Sequence, residues 1–418
     1  MLKRLIKNLA TQVQQRVNSS DAGFIDVKRL IADLSDEDLM RSADAYFASM
    51  TPRSEQCRKP FSNPAESVHL TRHLSLLLEA ADLFRGARVL DMGCGTGWLT
   101  LALAAMGCDA VGVDIAPSAL KLAEALKDAR GPAQSGAAEF RLHDGHRLPL
   151  DDESVDRIVC FDAFHHVRDQ RATLAEFARV LKNGGRAAFL EPGPNHSRTP
   201  KSQAEMAQFQ VIENDVSMPD VARFAVEVGL DKPQMLVQFQ QPFTVPVDDF
   251  NGWARGGVPK DWSARLIDAL GDQLTNEQCF FVCKGQPTRD SRRGDGLAAA
   301  IELVSAQRAP MTKGMGVRVE LRVRNTGNRD WITAAGAGQV NVGVHMLTPE
   351  GKLVDNNFAR IRLPSGPVLP GQEVVVSGTI REPAAEGYVL RFDMVAELVA
   401  WFTDLGRTQP VRLASTDL

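Results

Sequence analysis

An α/β domain followed by a separate all-β domain is the architecture this sequence predicts, and three observations predict it. Apolar strand-like runs alternate with helix-like stretches from residue 61 to 286. One of those strands runs into a glycine-rich turn, Gly93-Cys94-Gly95-Thr96-Gly97. From residue 297 the pattern changes to short, evenly spaced strands separated by turn signals. At ~150 residues per domain, 418 residues also fit two or three domains.

The elements follow in chain order. Residues 1–60 read as a helical segment: Leu2, Leu5, Ile6, Leu9, Val13 and Val17 recur at helical spacing, with Lys3, Arg4 and Lys7 off that stripe. Such a helix either packs on its own protein or lies on an anionic membrane surface. Ser35 and Asp38 have capping-box spacing ahead of a second helix. In the α/β domain, ARVLDMG, CDAVGVDI, AEFRLHD, DRIVCFD and RAAFLEP read as strands. Between them, WLTLALAAM stops at Gly107, PSALKLAEALKDAR has proline in its first turn, and TLAEFARVLKNGG ends at Gly184. The helix SMPDVARFAVEVG and the strands QMLVQFQ and EQCFFVCKG complete the domain. This alternation predicts a doubly wound parallel sheet with helices on both faces. Residues 287–296, charged and glycine-bearing, read as a linker. Residues 297–418, with runs such as VRVELRVRN, QVNVGVHML, FARIRLP, EVVVSGTI and YVLRFDMV, read as a β-sandwich.

Composition narrows the function. The formal net charge is −4, without the basic excess of a nucleic-acid binder. No apolar run reaches the ~18 residues of a spanning helix. Cys57, Cys94, Cys108, Cys160, Cys279 and Cys283 form no C-x-x-C pair and no zinc spacing. Several lie in apolar runs, which fits reduced thiols and a cytoplasmic protein. Cys279 and Cys283 share one face of a strand and read as buried.

The chemistry is carried by Asp91-Met92-Gly93-Cys94-Gly95-Thr96-Gly97-Trp98. Glycines let the backbone approach a ligand closely, and the following helix N-terminus offers free N–H groups. Trp98 stands where the dinucleotide fingerprint needs glycine, and the Gly-Lys-Ser/Thr of a Walker loop is missing. Asp91-x-Gly-x-Gly-x-Gly97 resembles motif I of the class I S-adenosylmethionine-dependent methyltransferases, which have a Rossmann-like fold. The resemblance covers residues 61–286, because further elements follow in the family's order. It implies that Asp114 and Ile115, ending the second strand, hold the ribose. Asp144 and Gly145, after the third, would contact adenine. Gly93, Cys94, Gly95, Gly97, Trp98, Phe161 and Asp162 would complete the cofactor site.

In such a sheet the reaction takes place beyond the C-terminal strand ends. His165 and His166 follow the fourth strand there, and histidine can take a proton from a hydroxyl acceptor. Neighbouring residues on a turn point ~100° apart, so at most one of the two is the base. Glu191 and His196, in the loop after the fifth strand, either orient the acceptor or cap loop backbone, and Glu191 is the next candidate for the catalytic base if neither histidine serves. His69 and His73 stand four apart on a helix, but without the Glu of a zincin motif or an evident third ligand, so no metal is expected.

Tyr46-Phe47, Lys59-Pro60-Phe61, Asp162–His166 and the Glu191-to-Ser197 loop resemble a narrower bacterial group of methyltransferases found beside glycosyltransferases of surface-polysaccharide synthesis. That implies O-methylation of a glycan hydroxyl, with Tyr46, Lys59 and His196 near the acceptor. It also allows a peripheral association with the inner membrane face or a glycosyltransferase complex through the N-terminal helix. A small hydroxylated metabolite or a quinone-like lipid remains an alternative acceptor, as does a non-catalytic scaffold. The C-terminal part is similar to Ig-like sandwiches appended to glycan-processing proteins. It would bind glycan or form a homodimer contact, and Trp331, Tyr388, Trp401 and Phe402 are either stacking surfaces for sugars or residues of the sandwich core.

Overall fold

The computed structural model describes residues 24–131, 136–237, 247–256, 277–286, 289–385 and 387–418. The basic stripe at residues 2–17 lies outside them. Two compact units divide the chain, one of Met1–Leu83 with Ala87–Pro287, the other of Phe84–Gly86 with Thr288–Leu418.

The first unit opens with helices α1 (Val27–Asp33), α2 (Asp36–Ala48) and α3 (Pro64–Ala81). Ser35 and Asp38 form the expected capping box at the start of α2. Seven strands follow: β1 (Arg88–Met92), β2 (Asp109–Asp114), β3 (Ala137–Leu142), β4 (Val155–Phe161), β5 (Leu181–Pro192), β6 (Gln234–Met235) and β7 (Glu277–Cys283). Helices α4 (Trp98–Ala105), α5 (Pro117–Arg130), α6 (Gln170–Val180), α7 (Pro200–Phe209), α8 (Met218–Glu227) and α9 (Val247–Ala254) lie between them.

The strand order is β3-β2-β1-β4-β5-β7-β6. β1 to β5 are parallel, but β7 runs antiparallel to β5, so the sheet is mixed rather than all parallel. The all-parallel expectation fails there because apolar alternation does not encode strand direction. All seven residues of β4 are buried. A core of Leu90, Val111, Ile158, Phe177, Phe189 and Phe280 holds the helices on the sheet. Two details of the expected elements need correction. Helix α6 ends at Val180 rather than Gly184, and Leu181–Gly185 already belong to β5. Cys279 is buried, but Cys283 is only half-buried.

The second unit is all β. Strands β8 (Ala299–Pro310), β9 (Met315–Asn325) and β12 (Glu373–Arg381) form one antiparallel sheet. Strands β10 (Val340–Leu347), β11 (Leu353–Arg362), β13 (Val389–Ala396), β14 (Ala400–Trp401) and β15 (Val411–Ala414) form the other. Alternate residues Val317, Val319, Leu321 and Val323 of one sheet share a core with Val340, Val342 and Val344 of the other. Trp331, Tyr388 and Phe402 are buried in that core and offer no stacking surface, which leaves Trp401, half-buried, from the expected set. The linker reading also needs correction: Ser291 is fully buried in this unit, and its hydroxyl donates to the Gly338 carbonyl.

Candidate active site

The strand order reverses between β1 and β4, and their C-terminal ends are neighbours, with Met92 opposite Cys160. The two loops that leave there start side by side. Gly93, Gly95 and Gly97 have φ of +68°, +50° and +75°, a region that side chains disfavour. Space excludes side chains as well. A Cβ on Gly93 would lie 2.6 Å from that of Ala163, and one on Gly97 would lie 2.6 Å from the Phe140 ring.

The Gly95 amide donates to Asp114 Oδ2 and the Ala116 amide to Asp114 Oδ1, both at 2.9 Å. Two amides fix this carboxylate, and each oxygen keeps a lone pair for a diol. Burial raises the Asp114 pKa. Asp91 is buried deeper, takes a 2.6 Å hydrogen bond from the Thr100 hydroxyl, and is pushed up to about 7 by burial. Phe161 and Trp98 pack edge to face at 5.3 Å, Ile115 is half-buried beside Asp114, and the buried Cys94 thiol is held neutral by burial. Asp144 is exposed and accepts the amides of His146 and Arg147, so it is also the residue that shapes its own turn. Gly145 has open space where a side chain would stand. Asp162 is exposed, at φ +50°, and its amide donates to the Leu190 carbonyl. An adenosyl group needs a close backbone approach and an acid for its diol, and these residues fit it.

The described part of the N-terminal segment is built into this site. The Thr96 hydroxyl donates to the Gln56 carbonyl at 3.0 Å, and Asp44 accepts the Ser118 amide at 2.6 Å, capping α5. Asp36 meets His146 at 3.0 Å and Arg168 at 2.7 Å. The Phe47 ring is the nearest side chain to Gly95. Helix α2 and the residues after it thus reach the loops that follow β1, β2, β3 and β4. Tyr46 packs edge to face on Phe47 and Phe209, and burial, then Glu205 and Glu213, raise its pKa.

A second cluster surrounds the turn after β4. Glu191 is fully buried and accepts the amides of Ala163, Phe164 and His165 at 2.9–3.2 Å. His165 Nδ1 lies 2.7 Å from the same carboxylate. Glu191 therefore faces the turn and not an acceptor, so it is a positioning group rather than a catalytic residue or reserve base. Burial pushes its pKa to about 7 despite these donors. His165 is buried, and burial, then His166, hold it well below the ordinary histidine range. His166 is the exposed member of the pair, and its Nδ1 donates to the Ile212 carbonyl at 2.6 Å, which leaves the lone pair on Nε2. His196 Nε2 donates to Glu213 Oε2 at 2.6 Å. Burial works against the Glu213 charge, but the His196 bond and the His166 and His165 imidazoles outweigh it and hold this carboxyl well below the usual range. Its Oε1 is buried without a hydrogen bond, although His166 Nδ1 lies 3.5 Å away. Glu205, on α7, is raised by burial and then by Glu213. Glu205 and Glu213 were not anticipated, because Glu213 lies in an irregular stretch with no motif around it.

A third group corrects the expectation that His69 and His73 have no further partner. Glu277, at the start of β7, places Oε2 2.6 Å from His73 Nε2 and Oε1 4.0 Å from His69 Nε2. Burial pushes the Lys59 ammonium down, while Asp162 and then Glu66 oppose the shift.

Residues 90–189 match the methyltransferase domain family. The match runs from β1 into β5 of the α/β unit, including the glycine-rich loop, and the site's close backbone approach and diol-binding acid agree with a methyltransferase domain that uses S-adenosylmethionine. Among its relatives, the chain is 26% identical over 239 residues to the uncharacterized methyltransferase YcgJ of Bacillus subtilis, covering 54% of this chain and 92% of that one. It is 32% identical over 125 residues to the ubiquinone biosynthesis O-methyltransferase of Xanthomonas oryzae pv. oryzae, covering 29% of this chain but only 51% of that relative. A solved structure, geranyl diphosphate C-methyltransferase from Streptomyces coelicolor with S-adenosyl-L-homocysteine bound, aligns at TM-score 0.41 and 16% identity, over 60% of this chain and 97% of that one. Among the described residues, no helix is long and apolar enough to cross a membrane.

Proposed function

We propose that this protein methylates a hydroxyl oxygen, with His166 as the base, and that the acceptor is a sugar of a bacterial surface glycan or its precursor. The sulfonium of S-adenosylmethionine supplies both the methyl group and a good leaving group, so the protein's share is placement and proton removal. The observation that carries the reading is the exposed His166, whose tautomer the Ile212 carbonyl fixes with Nε2 free to accept a proton. Glu191 holds the backbone of that turn, and His165 beside it, in place. A buried carboxylate oxygen without a donor costs about 1–3 kcal/mol. Glu213 Oε1 has no hydrogen bond of normal length, but His166 Nδ1 stands 3.5 Å from it and offsets part of that cost.

The glycan part of the proposal draws on the loop from Glu191 to Ser197 and on the separate β unit. A second module that holds a polymer raises its effective concentration at the active site. A phenolic quinone precursor is the second reading, favoured by the likeness to the ubiquinone O-methyltransferase. A transfer assay with labelled cofactor against glycans, their short fragments and hydroxylated quinone precursors separates the two. Label on a glycan oxygen supports the proposal, label only on the phenols moves the assignment to the second reading, and label on nitrogen or carbon overturns both.

A further inference from the structure

We propose that His69, His73 and Glu277 form a binding site for one divalent first-row transition ion of the zinc type. His69 and His73 are four residues apart on α3, so their imidazoles stand on one face of the helix, and the rings lie 3.9 Å apart. Glu277 comes from a distant part of the chain, where β7 pairs antiparallel with β5 and sets Glu277 opposite Pro192. Each of the three residues offers a ligand atom, and all three atoms lie within 4.8 Å of one another. Bonds of ~2.0–2.2 Å from a shared tetrahedral ion put ligand atoms about 3.3–3.6 Å apart. The cluster therefore needs a small rotation of His69, whose side chain is 58% exposed, toward the buried His73, and an opening of the 2.6 Å His73–Glu277 contact by about 1 Å or somewhat less.

Two imidazoles and one carboxylate favour zinc, cobalt, nickel or iron(II) over magnesium and calcium, which prefer all-oxygen sets. Three protein ligands leave coordination positions open. The His73 ring is 6.5 Å from the ring of Phe161, the last residue of β4. If the methyltransferase reading holds, those open positions adjoin the acceptor side, and an acceptor bearing neighbouring oxygens is the class of molecule that would occupy them. The cluster around Glu213 also brings ligand-type atoms together, so the experiment must distinguish the two.

The test uses the full chain, stripped of metal by a chelator and titrated calorimetrically with zinc chloride and, separately, magnesium chloride. Wild type should take up one equivalent of zinc and ignore magnesium. His69→Ala, at an exposed position, and the near-isosteric Glu277→Gln should each weaken zinc binding by about tenfold or more, whereas His166→Ala should not. Zinc uptake that is absent, insensitive to both substitutions, or lost only in His166→Ala overturns the proposal. The His73–Glu277 contact is then a hydrogen bond of the fold and nothing more. S-adenosylmethionine titrated into the same samples keeps the two readings apart, since failure of zinc uptake with intact cofactor binding leaves the methyltransferase assignment standing.

Discussion

The side we assign to the cofactor and the side we assign to the acceptor, both at the C-terminal ends of the central strands, are built by different means. On the cofactor side a single run, Asp91 to Trp98, does most of the work through backbone conformation, with three left-handed glycines and one carboxylate, Asp114, tied to backbone amides. On the acceptor side, contacts between distant segments do the holding: the Glu191 carboxylate holds the turn and His165, the Ile212 carbonyl the ring of His166, and Glu213 that of His196. The first construction tolerates almost no added atom. The second tolerates small volume changes but depends on charge and hydrogen-bond polarity.

Substitutions that separate the two constructions test this difference. The largest effect is expected on the cofactor side. Gly97→Val adds a branched side chain at φ +75°, against Phe140 and Ala123. It should cost about 3–5 kcal/mol in denaturant unfolding and abolish cofactor binding. Tolerance of valine there would break the comparison.

Asp91 comes next. Its folded pKa, about 7 against an ordinary 3.8, is raised, so the protonated form is favoured in the folded state. The stability this provides is fully present below about pH 4 and is lost as pH rises through about 7. The shift is about three pH units, worth up to about 4 kcal/mol at ~1.4 kcal/mol per unit. Asp91→Asn cannot ionise, so cofactor-free variant and wild type should diverge over that window in unfolding measured from pH 4 to 8. Parallel curves would contradict the assignment.

On the acceptor side, Glu191→Gln keeps the volume but sets an NH2 group among N–H donors. It should lower stability by about 2–3 kcal/mol and reduce turnover with little change in cofactor affinity. Loss of affinity instead would mean that the two sides are not separable. The smallest effect is at the cap shared by α2 and α5. Asp44→Ala should cost about 1 kcal/mol by thermal unfolding, because it removes the acceptor for the Ser118 amide.

The same contrast explains what could be read in the sequence. Asp91, Gly93, Gly95 and Gly97 were legible because a strand–turn–helix places them by local rules, and Asp114 was legible only through the family resemblance. The capping box at Ser35 and Asp38 is equally local. The acceptor side was legible only in part. His165, His166, Glu191 and His196 could be nominated from the strand ends they follow, but not their division of labour, which depends on which atom each side chain reaches across the fold. Glu191 accepts amides 26–28 residues away, and Glu213 and Glu277 lie where neither periodicity nor a turn signal marks them. The antiparallel run of β7, which delivers Glu277, follows from long-range pairing that an apolar pattern cannot specify. Trp331, Tyr388 and Phe402 show the same limit, since side-chain type does not tell which face of a sandwich a ring fills.

The central claim is that S-adenosylmethionine binds over the glycine-rich loop while His166 removes a proton from a hydroxyl acceptor. Its most direct test pairs two numbers on one variant, the calorimetric Kd for S-adenosylmethionine and the single-turnover rate of label transfer to an accepted hydroxyl compound, for wild type and His166→Ala. The account predicts an unchanged Kd and a rate lower by roughly 10²–10⁴, the usual size of general-base assistance. A wild type that does not bind the cofactor, or a variant that transfers label at the wild-type rate, would contradict it.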